Sequence, residues 1–179
     1  MPLDERLYRF VYGGDASTTF SSVMLVLTWI GNGWSMLALV PLLFVRRSRR
    51  FAATLLGALV VQSIVVWALK RIVERARPYI VLGTHPTYGP PTDYSFPSGH
   101  ASGSFTVAAF VVVVCMSTPT LPGRHAIALV TVLLAIGVAT SRVYLGVHYP
   151  SDVAFGALLG GAIGAGAARR HCAHRTPAL

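Results

Sequence analysis

FAATLLGALVVQSIVVWAL, residues 51–69, runs for nineteen positions without a charged side chain. Wound as an α-helix at 1.5 Å per residue, such a stretch reaches about 28 Å, close to the thickness of a bilayer's hydrocarbon core. It therefore reads as a membrane span, and the chain repeats it. Charge-free runs also occupy 101–123, 126–141 and 153–168, and two shorter apolar runs, 16–30 and 34–45, flank Gly31-Asn32-Gly33. The pattern predicts an all-α, polytopic membrane helical bundle of six transmembrane helices, the first two forming a short tilted hairpin. Composition agrees. Of 179 residues, 54% are hydrophobic and 12% charged, and the mean hydropathy is +0.61, outside the range of soluble domains. The whole chain, 1–179, reads as a single integral-membrane domain.

Met1–Tyr12 carries Asp4, Glu5, Arg6 and Arg9 and lacks an apolar core, so it reads as an amphipathic interfacial lead-in and not as a cleavable signal. Cys115, in mid-span, and Cys172, in the basic tail, are too far apart to bridge and are expected to be free thiols.

The net charge of +9 would suit nucleic acid, but its distribution disfavours that partner. Arg6, Arg9, Arg46, Arg47, Arg49, Arg50, Arg124, Arg169, Arg170 and Arg175 share one side of a six-span topology, cytoplasmic by the positive-inside rule. Lys70, Arg71, Arg75, Arg77 and Arg142 fall on the other side, where that rule tells against them. They need another reason to be there. Trp29, Trp34, Trp67, Tyr79, Tyr88, Tyr94, Tyr144 and Tyr149 map near the same outer boundary, as an aromatic belt would. The longest non-helical segment, about 79–97, is rich in Pro, Gly, Thr and Tyr, and in so short a chain it is expected to be functional.

Three polar clusters interrupt the apolar pattern. In KRIVERARP, 70–78, Lys70 and Arg77 stand seven residues apart, two helical turns, so both can project from one face before Pro78 ends the helix. Glu74 lies near Lys70 as a pairing partner, while Arg71 and Arg75 point elsewhere, to solvent or lipid headgroups. Alone, the cluster reads first as a solvated, snorkelling helix end. FPSGHASGS, 96–104, opens the next span, with Ser98 as N-cap, Gly99 allowing close approach and His100 in the first turn. A helix start suits an anion, though an ordinary start with an interfacial histidine has the same look. SRVYLGVHYPSD, 141–152, closes one span at Ser141-Arg142 and opens the last near Pro150. His148 and Asp152, four residues apart, fit a local hydrogen bond, a metal ligand pair or a catalytic unit. Counting spans brings the three clusters to one face of the membrane, where cations, helix-start donors and two imidazoles together fit a phosphoryl group.

The ordered set resembles the type 2 phosphatidic acid phosphatases, membrane lipid phosphatases that share a phosphate site with vanadium-dependent haloperoxidases. The family pattern, K-x6-R-P, P-S-G-H and S-R-x5-H-x3-D, stands here as Lys70…Arg77-Pro78, Pro97-Ser98-Gly99-His100 and Ser141-Arg142…His148…Asp152, without departure. The motifs cover 70–152, and residues 1–45 match by hydropathy alone. The resemblance implies that His148 is the nucleophile and forms a phosphohistidine, with Asp152 orienting it. It implies that His100 is the general acid and base, and that Lys70, Arg77, Arg142, Ser98 and Gly99 bind the phosphate oxygens. No cofactor and no metal are expected, three fixed cations serving instead.

The expected partner is a lipid phosphate in the bilayer, with polyprenyl diphosphate first and phosphatidylglycerophosphate or phosphatidate after it. A vanadate-dependent haloperoxidase and a non-catalytic anion transporter are the readings from other classes. The expected location is the cell membrane, multi-pass, with the active site on the extracytoplasmic side. Gly156, Gly160 and Gly164, spaced by four, are expected to permit close packing within the chain. His85 reads as a solvated loop residue, and His125, His171 and His174 as peripheral on the cytoplasmic side.

Overall fold

The computed structural model describes residues 2–14, 19–87 and 89–173, apart from the side chains of Ser35 and Met36. Its described helices are α1 (Leu3–Val11), α2 (Thr19–Ile30), a 3-10 helix (Gly33–Leu43), α3 (Arg49–Val73), α4 (Pro78–Leu82), α5 (Gly99–Met116), α6 (Arg124–Tyr144) and α7 (Pro150–Ala173). Tyr88, His174 and Arg175 lie outside the described residues.

The protein is an all-α polytopic membrane protein, and among its described residues four helical stretches are long and apolar enough to cross a bilayer: α3 continued by α4, then α5, α6 and α7. The expected first pair differs. Helix α2 has 12 residues, and at 1.5 Å per residue it is about 18 Å long, well short of a hydrocarbon core. It packs on the last turns of α6, with Leu27 beside Gly137, Gly31 beside Val138, Thr28 bonded to Ser141 and Ser21 to Tyr144. The chain then winds as a 3-10 helix through Gly33–Leu43, with Pro41 inside it and unable to donate to an α-helical ladder. The longer rise of about 2.0 Å per residue carries those 11 residues about 22 Å. Gly33 lines the same cavity as Lys70, and Leu39 packs on the Leu55, Leu59, Phe110 and Ala168 cluster. The segment thus leads from the Lys70 end of the bundle toward the start of α3.

Helix ends also depart from hydropathy. α5 stops at Met116, and Pro119, Pro122 and Gly123 take the chain through a turn before α6, Gly123 capping it at φ 67°. Cys115 is therefore at a helix end and not in mid-span; both cysteines are free thiols. α3 ends before its proline, because Glu74 takes the left-handed conformation at φ 48° and its amide bonds Lys70 O at 3.0 Å. Pro78 instead starts α4 at N1.

The three glycines of α7 face α5. A Cβ at Gly156 would sit 2.7 Å from Ser98 O, one at Gly160 2.0 Å from Ser102 O and one at Gly164 2.2 Å from Thr106 O. Their spacing serves packing inside the chain. His171 is not peripheral: it is 2% exposed, its ring centroid lies 5.8 Å from that of Phe110, and its Nδ1 stands 3.4 Å from Thr54 Oγ1.

Helix α1 is amphipathic, with Tyr8 buried and Leu3, Leu7 and Phe10 exposed. It docks where α6 ends and α7 begins. Gly13 N donates to Tyr144 O at 3.0 Å, and Asp4 accepts from Ser151 N at 3.0 Å. Arg6 and Arg9 therefore stand at the same end of the bundle as Arg75 and Arg142, and not with Arg46–Arg50 as expected. Span counting had placed the amino end by assuming that α2 crosses.

Candidate active site

The loop from α6 to α7 explains the placement of His148. Gly146 adopts φ 80°, and the amides of Val147 and His148 both donate to Arg142 O at 3.2 Å. This tight reversal turns the imidazole inward, where it is 2% exposed. Pro150 begins α7 immediately afterwards, so Asp152 sits in its first turn and is fully buried. Asp152 Oδ2 accepts from Ser95 Oγ at 2.5 Å and Tyr149 N at 2.9 Å, and it lies 3.5 Å from His148 Nδ1. That last contact is long for a hydrogen bond, as catalytic contacts in unliganded sites often are.

On the other side of the ring, Arg77 Nη1 lies 3.3 Å from His148 Nε2 and donates to Val147 O at 2.7 Å. A guanidinium can only donate, so Nε2 is the acceptor nitrogen and the ring proton is on Nδ1, facing Asp152. Burial pushes the His148 imidazole down to about 3; Asp152 opposes the fall, and the charges of Arg77 and Arg142 add to it. The ring is therefore neutral at physiological pH, with a lone pair on Nε2.

Lys70 and Arg77 belong to different elements, the left-handed Glu74 having broken the helix between them. They are rejoined by Asp93. Its Oδ2 lies 3.0 Å from Lys70 Nζ and its Oδ1 2.5 Å from Arg77 Nη2, while its carbonyl accepts from Arg77 Nε at 2.7 Å. Lys70 also donates to the Tyr94 carbonyl. Lys70 thus pairs with Asp93 and not with Glu74. Partial burial works against ionisation of Asp93, but the hydrogen bonds and charges of Lys70 and Arg77 outweigh it and hold the carboxyl below its ordinary range.

Arg142, 3% exposed, donates to the Thr28 hydroxyl of α2. Ser98 caps α5, its hydroxyl 3.4 Å from Ala101 N, and its own amide donates to Asp152 O at 3.1 Å. That bond ties the start of α5 to the start of α7. A cavity of about 300 Å³ opens here, lined by Trp67, Lys70, Asp93, Gly99 and His100 among others. An apolar cavity of about 260 Å³ adjoins it through Gly31 and Gly103 and is walled by Leu39, Leu59, Val107 and Leu134.

All eight residues singled out in the sequence, Lys70, Arg77, Ser98, Gly99, His100, Arg142, His148 and Asp152, are thus gathered at one end of the bundle. Four others were not anticipated. Arg75 is half-buried and held by the site instead of standing free: its Nη1 donates to Asp152 Oδ1 at 2.7 Å and its guanidinium lies over the Tyr149 ring at 4.0 Å. Ser95 and Thr28 have no spacing that marks them. Asp93 had a usable signal, being the one carboxylate between Glu74 and Asp152, in the loop that follows Lys70, Arg71, Arg75 and Arg77. Among the described residues, no group of three His, Cys, Asp or Glu side chains is placed to hold a metal ion.

A protein-family profile described as the PAP2 superfamily matches residues 51–174. Decaprenylphosphoryl-5-phosphoribose phosphatase of Mycobacterium tuberculosis is 39% identical over 138 residues, 74% of this chain and 68% of that protein. Undecaprenyl-diphosphatase of Sulfolobus acidocaldarius is 32% identical over 146 residues, 79% of this chain and 66% of that protein. The crystal structure of Aquifex aeolicus LpxE superposes with a TM-score of 0.76 at 25% identity, covering 94% of this chain and 96% of that one. A PAP2-type phosphatidylglycerolphosphate phosphatase from Bacillus subtilis shares the fold, with a TM-score of 0.76 at 23% identity over 98% of this chain and 87% of that one.

Proposed function

The chain belongs to the PAP2 superfamily and is a membrane lipid phosphatase, and from that membership we propose that it hydrolyses a polyprenyl phosphate or diphosphate through a phosphohistidine on His148. The observation that carries this reading is the neutral His148, its Nε2 lone pair beside Arg77 and its Nδ1 toward a buried carboxylate. Nε2 attacks phosphorus in line with the departing lipid oxygen or phosphate, and the Nδ1 proton stays on the ring facing Asp152, which stabilises the imidazolium formed. Lys70, Arg77 and Arg142, with Ser98 and the Gly99 amide, hold the nonbridging oxygens. Asp93 gives up the two cations it bridges as the phosphate enters. His100, protonated once the phosphate anion occupies the cavity that it lines, gives that proton to the leaving oxygen and then, as base, takes a proton from the water that attacks the phosphohistidine. Inorganic phosphate leaves and His148 returns neutral.

The apolar cavity adjoining the polar one supports a substrate whose chain stays among the helices while its phosphate reaches His148. A polyprenyl chain is favoured because the relatives at 39% and 32% identity are named for polyprenyl substrates. Seven arginines at the opposite end, Arg46, Arg47, Arg49, Arg50, Arg124, Arg169 and Arg170, outnumber Arg6, Arg9 and Arg71, the cations at the site end that are not drawn into the site, and favour an extracytoplasmic site in the cell membrane. Release of phosphate by the purified protein from polyprenyl diphosphate, phosphatidylglycerophosphate and phosphatidate tests the assignment; preference for either glycerophospholipid would overturn it.

The same site needs no metal, since three cations already face the phosphate and a dication beside them would be repelled. Activity is expected to survive excess chelator and to be blocked by vanadate, which adopts the trigonal-bipyramidal geometry of the transferring group. Loss of turnover in chelator, restored by a divalent ion, would refute metal independence.

A further inference from the structure

Arg75 stands outside the ordered motif, yet both oxygens of Asp152 are set from it. Its Nη1 donates to Oδ1 at 2.7 Å. Its backbone carbonyl accepts from Ser95 N at 2.8 Å, and Ser95 Oγ in turn donates to Oδ2 at 2.5 Å. Oδ2 is the oxygen that faces His148 Nδ1. The left-handed turn at Glu74 makes this possible, because it swings residue 75 off the helix and toward the first turn of α7.

The guanidinium is itself held from the lead-in helix. Arg75 Nη2 donates to Asp4 Oδ2 at 2.7 Å, and Asp4 also accepts from Ser151 Oγ at 2.5 Å and Ser151 N at 3.0 Å. Tyr8, one turn further along α1, is fully buried and packs on Tyr149, their ring centroids 5.8 Å apart. Helix α1 thus closes over the loop that carries the imidazole.

We propose that Arg75, anchored by Asp4 of α1, is a positioning residue that aligns Asp152 with His148 and balances the charge of that pair. The inference rests on the reading of His148 as nucleophile. Charged and titratable groups face the pair from the elements packed against it: Lys70 of α3, Arg77 before α4, His100 of α5, Arg142 of α6, Tyr149 just before α7 and, through Arg75, Asp4 of α1. Among the cations, Arg75 is bound to Asp152 on the side away from the phosphate cavity. Removing its charge leaves Asp152 less neutralised and favours protonated His148.

The test uses the full-length protein in detergent with a polyprenyl diphosphate. Arg75→Gln is expected to lower kcat about tenfold, change KM less than about twofold and move the acid limb of kcat up by about one pH unit. Arg75→Lys is expected to return the limb toward its original position. Asp4→Ala is expected to lower kcat severalfold alone and not at all in the Arg75→Gln background, since the two act through one contact. Unchanged kcat and limb in Arg75→Gln, or losses that multiply in the double variant, would overturn the proposal. Should Arg75→Gln fail to fold, full kcat in Asp4→Ala overturns it equally. His148→Ala run alongside separates the two readings: if it remains active the nucleophile assignment fails, and if it is inactive the Arg75 result stands alone.

Discussion

His148→Ala is expected to reduce phosphate release at least about a thousandfold, the scale of losing one member of a nucleophile–orienter unit. The argument is positional. His148 is the imidazole with a cation at Nε2 and a carboxylate at Nδ1, so it presents a lone pair toward the cations and a proton toward Asp152. His100 lies in the first turn of α5, lining the polar cavity, a place suited to the leaving oxygen. Neutral His148 keeps its nucleophilic form into mildly acidic solution, because burial pushes it down to about 3. Wild-type protein quenched during turnover with radiolabelled substrate should carry an acid-labile, base-stable label, and His148→Ala should carry none. Near-normal turnover by a folded His148→Ala protein would remove the assignment.

Gly160→Val is expected to have the largest effect on stability. Even the first carbon of a side chain there would meet Ser102 O at 2.0 Å and Ser102 C at 2.8 Å, and backbone atoms of a neighbouring helix cannot rotate aside. Helices α5 and α7 would have to separate, exceeding the usual overpacking cost of about 1–3 kcal/mol. The harm reaches the site, since Ser102 follows His100 by two residues on α5 and Asp152 lies in the first turn of α7. Thermal unfolding in detergent should show a large drop, with activity lost in parallel. Gly161→Ala is the control, since a Cβ there meets nothing within 4 Å. A Gly160→Val protein melting alongside wild type would show that the helices are not so closely packed.

Between these two residues lies the contrast in what could be read in advance. The spacing of Gly156, Gly160 and Gly164 was visible because helical periodicity relates residues four apart on one element. The partners of Arg75 and Lys70 were not visible. Both assignments assumed a helix continuing to Pro78, and Glu74 ended it four residues early. Past that point, periodicity no longer says which way a side chain points. The amino-terminal region departs from the expected long α-helices for a related reason: hydropathy counts apolar residues and does not report their winding, so it does not tell the 12-residue α2 and the 3-10 helix from two such helices.

Local chemistry along the chain was sufficient for the membrane class, for the long spans from residue 51 onward and for the ordered motif whose eight residues meet at one end. Those features depend on transfer of side chains into hydrocarbon and on residue types at set spacings, both properties of the chain read in order. Folding in three dimensions was needed to show that Asp93 bridges Lys70 to Arg77, that Thr28 meets Arg142, and that Asp4 and Arg75 stand behind Asp152. These partners are separated by up to 114 positions. A charge in a low-dielectric site takes whichever opposite group the packing brings within reach, and chain reversals at Glu74 and Gly146 decide which groups those are.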